Sequence, residues 1–192
     1  MKNEISKSFN DMQSMLLLNK RGELSIHQII DKRKYPRFIS NKVLKKKDAE
    51  FKAMELHMDT CHLIDNFSDV QANIDYIISI NKKTYERVFK RLSQKEIEEV
   101  QYHLVKFTKR ILLSWYVSLA ELSEKEELKK ENIIAFAVIH RRTAYIIDSM
   151  SLTDGQHEEL MEYREQTFNN VKELEKTIKE TGGTDERQSD GV

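Results

Sequence analysis

From Arg37 to Asp154 the chain contains neither glycine nor proline; the only proline is Pro36, and the glycines are Gly22, Gly155, Gly182, Gly183 and Gly191. That single gap constrains the fold more than any other feature. Tight hairpins between strands draw on glycine or Asn-Gly for positive φ, and phosphate-cradling loops need glycine for close backbone approach. Long helices joined by Ser, Thr, Asn and Asp caps need neither. The sequence therefore predicts an all-α protein, a compact bundle of five to seven mostly antiparallel helices with a small basic helical element at its N-terminal side.

Hydrophobic periodicity supports this reading and outlines the elements. A helix is predicted over Glu4–Asn19, with Ile5, Phe9, Met12, Leu16 and Leu17 on one stripe, ended by the basic turn Lys20-Arg21 and by Gly22. Ser25 caps a short helix from Ile26 to about Lys32, and Pro36 breaks the chain after it. A longer helix from Ser40 carries Leu44, Phe51, Met54, Met58 and Cys61 at intervals of three and four. The next has Val70, Ile74, Ile77, Ile78, Tyr85, Val88, Phe89 and Leu92 inward, capped by Ser68 or Asp69.

Ser93-Gln-Lys-Glu96 is a capping-box pattern that opens a helix to about Leu122, with Ile97, Val100, Leu104, Phe107, Ile111, Trp115, Leu119 and Leu122 expected inside. Ser123-Glu-Lys-Glu126 repeats the pattern and predicts another start. Asn132–Met150 is apolar on most sides, as a central helix would be, and Thr153 or Asp154 begins a last helix to about Glu180. The organisation expected is a basic N-terminal element over residues 1–47, a main bundle over 48–181 and a disordered polar tail over 182–192.

Composition limits the function classes. The single cysteine, Cys61, excludes an intramolecular disulfide and suits a reducing compartment. No apolar run approaches the ~20 residues of a membrane helix, and Glu4 sits where a secretory signal would be basic and then apolar. The expectation is a cytoplasmic protein with no membrane partner.

Formal charge sums to zero, but residues 1–110 carry 22 Lys/Arg against 15 Asp/Glu, a net of +7, and the remainder carries the opposite −7. The positive side concentrates in Lys32, Arg33, Lys34, Arg37, Lys42, Lys45, Lys46 and Lys47, with Tyr35 and Phe38 among them and no acid between Asp31 and Asp48. Lys and Arg neutralise phosphates while aromatic rings stack on bases, so the stretch suits nucleic acid as well as an acidic protein. A second basic face is expected from Lys83, Arg87, Lys90 and Arg91, with Lys106, Lys109 and Arg110 on a neighbouring helix.

Catalytic chemistry finds little support. Asp59-Thr-Cys-His62 has the carboxylate-x-x-His spacing of di-metal bundles, with Glu55 one turn earlier, but no second copy exists on another helix. His57 and Cys61 lie one turn apart, and two ligands do not make a zinc site. His140-Arg141-Arg142 interrupts the most apolar helix, so these groups either meet acids on an adjacent helix or line a pocket for an anion. No cofactor, metal or catalytic residue is expected. The function read from sequence is a non-catalytic interaction protein (adaptor, assembly factor or regulator) that meets a protein partner through charged helical faces. The alternative is a nucleic-acid-binding regulator that uses residues 32–47, with the bundle for dimerisation. Self-association into a homo-oligomer is compatible with either.

Overall fold

A computed structural model describes residues 43–45, 48–67 and 71–182. The predicted helices over 4–19 and 26–32, the basic residues Lys32, Arg33, Lys34, Arg37, Lys42, Lys46 and Lys47, and residues 183–192 lie outside the described residues.

Among the described residues the fold is all-helical, with five packed helices: α1 (Ala49–Phe67), α2 (Gln71–Phe89), α3 (Gln94–Glu124), α4 (Lys130–Ser149) and α5 (Asp154–Gly182). They alternate in direction. Thr60 of α1 meets Tyr85 of α2, Gln101 of α3 donates to the carbonyl of Ser151 just after α4, and Lys109 of α3 reaches Glu159 of α5. These pairings run α1, α3 and α5 one way and α2 and α4 the other. Helix α4 packs against all four others, the central position that its composition predicts.

Local sequence explains the boundaries. Ser93 and Glu96 close the capping box at the start of α3, Glu96 N–H donating to Ser93 Oγ at 3.4 Å and Ser93 N–H to Glu96 Oε2 at 2.9 Å. Thr153 and Gln156 do the same for α5, at 3.3 and 3.1 Å. Ser123–Glu126, expected to start a helix, instead ends one. Glu126 adopts φ 57°, its N–H donates to the Ser123 carbonyl, and Glu127 N–H reaches back to the Leu122 carbonyl at 2.8 Å. This is a Schellman stop, in which the left-handed residue satisfies carbonyls the helix leaves open. Helix α4 then starts at Lys130, where Lys129 N–H donates to Asn132 Oδ1 at 2.9 Å.

The interior has two parts. Along the length of α1 and α2, Val43, Ala53, Leu56, Leu63, Ile64, Ile77, Tyr85, Val88, Val100, Leu104 and Ile146 form the larger core. Toward the α3–α4 loop, Leu119, Leu128, Phe136 and Val171 form a smaller one, supported by Tyr116, Ile133 and Phe168 from α3, α4 and α5. Among the described residues, α1 and α2 reach only part of the way along α3, so α3, α4 and α5 form the half of the bundle toward the α3–α4 loop.

The buried faces of α1 and α3 are rotated from those expected. In α1, Ala53, Leu56, His57, Thr60, Leu63 and Ile64 are inside, whereas Met54 and Met58 are exposed. In α3 the inside is Val100, Gln101, Leu104, Thr108, Leu112 and Leu119, leaving Ile111 and Trp115 at the surface. The α2 stripe matches its expectation at Ile74, Ile77, Tyr85 and Val88.

Candidate functional site

Helices α3 and α5 run parallel, and their outer edges leave a cleft of about 390 Å³ between them. Its α3 wall is Tyr102, Val105, Lys106, Lys109, Arg110 and Leu113, spaced so that all fall on one side of a 3.6-residue helix. Gln156, Glu159 and Tyr163 of α5, at intervals of three and four, form the other wall. Tyr102 and Leu113 are unusually open for large apolar groups, at 61% and 47% exposure. Lys109 bridges the cleft, its Nζ pairing with Glu159 and lying 5.2 Å from the centre of the Tyr163 ring. Lys106 and Arg110 are exposed and form no ion pair among the described residues. The result is an apolar, aromatic floor with free cations on its rim.

The basic residues singled out in the sequence fall elsewhere. Lys83 lies exposed on α2, and Lys90 and Arg91 follow it in an exposed turn. Arg87 is half-buried, and its Nη1 is enclosed without a hydrogen-bond partner. Lys45 is exposed just after Val43, which is wholly buried in the larger core. Helix α1 starts at Ala49 and runs against α2, so Val43 and Lys45, a few residues before it, lie toward the end where α2 finishes. The structure thus brings Lys45 to the same end as Lys90 and Arg91. It does not join that face to Lys106, Lys109 and Arg110, which look onto α5, while α2 packs on α1 and α4.

The His57–Cys61 pair has the outline of a nucleophile and base, with Cys61 Sγ 3.3 Å from His57 Nδ1. Its electrostatics are of the opposite kind. Burial pushes the His57 imidazole down to about 4 and the Cys61 thiol up to about 12, with Asp65 adding to the rise at Cys61. Both groups are neutral across the physiological range, so the reactive thiolate is not formed. Asp59 and His62 are half-buried, and no cluster of three or more His, Cys, Asp or Glu fit to hold a metal occurs among the described residues.

His140-Arg141-Arg142 resolves into separate contacts. Arg142 Nη1 donates to Asp65 of α1 at 3.3 Å, and Arg141 is exposed. His140 stacks on Phe168 of α5, ring centres 4.1 Å apart, and its carbonyl accepts from Arg164 Nε at 2.8 Å. Arg164 also donates to Glu165 at 2.6 Å. Burial first, and then the Arg164 charge, hold the His140 imidazole below its ordinary range. His140 thus joins α4 to α5, and Arg142 joins α4 to α1.

No protein-family model, curated protein or solved structure matches the chain. The functional reading therefore rests on the geometry of this molecule. Sequence reasoning missed Tyr102, Val105, Leu113 and Tyr163. The available signal was the mixed stripe Tyr102-Lys106-Lys109-Leu113, where large apolar groups recur among cations on a face otherwise read as solvated.

Proposed function

We propose that the chain is a non-catalytic helical interaction protein, an adaptor, assembly factor or regulator, which takes an acidic segment of a protein partner into the α3/α5 cleft. The observation that carries this reading is the juxtaposition of exposed Tyr102 and Leu113 with the unpaired cations Lys106 and Arg110. Aromatic and aliphatic anchors supply most of the energy of small interfaces, while rim charges steer and select the partner. A helix with apolar residues at i, i+3, i+4 and i+7 and carboxylates beside them complements such a groove. The neutral His57–Cys61 pair supports the non-catalytic reading.

The test is affinity capture from nuclease-treated extract of the source cell, comparing the parent chain with a Lys106→Glu/Arg110→Glu variant of the same fold. Proteins held by the parent and lost from the variant are expected. Capture that is indifferent to the double substitution removes the cleft from consideration.

A second reading, a nucleic-acid-binding regulator using residues 32–47, draws on the common end of the bundle reached by Lys45, Lys90 and Arg91. Counterion release makes such binding steeply salt-dependent. Neutralising Lys45, Lys46 and Lys47 is expected to abolish a shift with mixed-sequence DNA or RNA at low salt. Absence of any shift by the parent chain excludes the reading.

A further inference from the structure

The α3/α5 cleft carries more positive charge than its own carboxylates meet. Lys106, Lys109 and Arg110 line it against a single acid, Glu159. Glu159 pairs with Lys109, whose Nζ also lies 5.2 Å from the centre of the Tyr163 ring. Lys109 is thereby tied to α5 and its charge is met. On the α5 wall, Gln156 and Tyr163 bring no further carboxylate. Lys106 and Arg110 remain exposed at the rim, with no ion pair among the described residues.

Helix α3 supplies no acid to them either. The residues one turn from Lys106 are Tyr102, His103, Lys109 and Arg110, and those one turn from Arg110 are Lys106, Phe107, Leu113 and Ser114. None is acidic. Lys106 and Arg110 are themselves four apart, the spacing at which like charges on one helix repel and oppose its formation. Cations on other faces of the bundle do meet acids: Lys52 pairs with Glu96, and Arg142 with Asp65. At the cleft, a bound acid relieves a repulsion as well as forming a pair.

We infer that the partner segment is a helix with two carboxylates one turn apart, which pair with Lys106 and Arg110. An apolar residue one turn outside each carboxylate meets Tyr102 and Leu113. The inference rests on the reading of the cleft given above and names the chemistry its occupant carries. Four residues of helix rise about 6 Å, so carboxylates at i and i+4 repeat the separation of the two cations along α3. Tyr102, Lys106, Arg110 and Leu113 follow one another at intervals of four, four and three, an apolar–cation–cation–apolar order over about 17 Å, or three turns. A helix satisfies its own backbone while lying in such a groove. An extended segment needs a sheet edge for its backbone groups, and the described residues form none.

The probe is a synthetic helical peptide of alanine and glutamine with two glutamates four residues apart and a leucine one turn outside each. Dissociation constants come from amide chemical-shift titration of the full chain at low ionic strength, where exposed charges are least screened. Shifts are expected to concentrate on α3 between Tyr102 and Leu113. Replacing both glutamates by glutamine is expected to weaken binding several-fold. Moving one glutamate by two residues, to the far side of the peptide helix, weakens it nearly as much. Lys106→Gln/Arg110→Gln is expected to bind the glutamate and glutamine peptides alike, and Lys106→Glu/Arg110→Glu to prefer a peptide with lysines in their place. Equal binding of the glutamate and glutamine peptides by the parent chain overturns the inference, as does binding of neither. In either case, extract capture that still depends on Lys106 and Arg110 keeps the cleft as a docking site for an occupant of other chemistry. Capture indifferent to them removes the cleft itself.

Discussion

His57 and Thr108 face each other across the α1–α3 interface, Nε2 to Oγ1 at 3.2 Å, and the direction of every proton around them is determined by their neighbours. Thr108 gives its hydroxyl proton to the Leu104 carbonyl at 3.0 Å, so it receives from His57 Nε2–H. His57 Nδ1 is then the acceptor for the Cys61 thiol. A neutral chain of donors thus runs from Cys61 through His57 and Thr108 to the α3 backbone, with each buried polar atom along it satisfied. Protonating His57 destroys it, because Nδ1 ceases to accept and a charge is enclosed.

The consequence is a definite pH dependence of stability. Below pH 6.5 the unfolded chain takes up a proton at residue 57, whereas the native chain resists until about 4. The unfolded state binds more protons in that interval, so stability is full above about pH 7 and falls as pH drops from 6.5 toward 4. The loss approaches about 3 kcal/mol. His140, also held low by burial and by Arg164, acts in the same direction. Urea midpoints measured from pH 7.5 to 4.5 are expected to decline, and His57→Phe is expected to flatten the decline to the part that His140 carries. A midpoint independent of pH across that range contradicts the neutral chain.

The same burial makes Cys61 a poor nucleophile. A thiol pushed up to about 12 carries on the order of 10³-fold less thiolate at pH 8 than an unperturbed one. The folded protein is expected to react with an aromatic disulfide reagent correspondingly slowly, and the urea-unfolded chain at the ordinary rate. Similar rates in the two states show that burial does not suppress the thiolate at Cys61.

Much of the fold was legible in the sequence, because the absence of glycine and proline left helices as the economical solution and the caps at Ser93 and Thr153 are local chemistry. The rotation of α1 was not legible. Met54, Met58 and Cys61 have apolar spacing, yet the interface selected Ala53, Leu56, His57 and Thr60, where a small residue allows close approach and polar side chains find partners. Periodicity weighs hydrophobicity alone and cannot see a satisfied histidine. The α3/α5 cleft was hidden for a different reason: its walls come from helices that are not consecutive in the chain. The rotation has a direct test. Leu56→Ala, at a site 1% exposed, is expected to cost 2–5 kcal/mol, roughly the range for buried leucines, and Met58→Ala, at 61%, about 0.5 kcal/mol or less. Chemical denaturation of the two variants separates the structural register from the sequence-based one, which requires the larger loss at Met58.

Glu126 offers a gain rather than a loss of stability. It holds φ 57° at the end of α3, a conformation in which the Cβ of an L residue crowds its own backbone and glycine does not. The two backbone bonds of the stop, Glu126 N–H to Ser123 and Glu127 N–H to Leu122, involve no side-chain atom and survive substitution. The Glu126 side chain is exposed, and its charge adds to the repulsion among Glu124, Glu127 and Glu131 at that end. Glu126→Gly removes both the crowding and the charge but gives the unfolded chain more freedom to lose. Relief of the left-handed strain, about 1 kcal/mol or more, exceeds the added entropy of about 0.5–1 kcal/mol, and loss of like charge moves the balance further in the same direction. Thermal unfolding is expected to shift upward by one to a few degrees, about what a stabilisation below 1 kcal/mol produces in a domain of this size. Glu126→Ala, which removes the charge but keeps the Cβ, is expected to recover only the smaller electrostatic part. A larger gain for alanine than for glycine means that charge repulsion, and not backbone conformation, dominates at the α3–α4 turn.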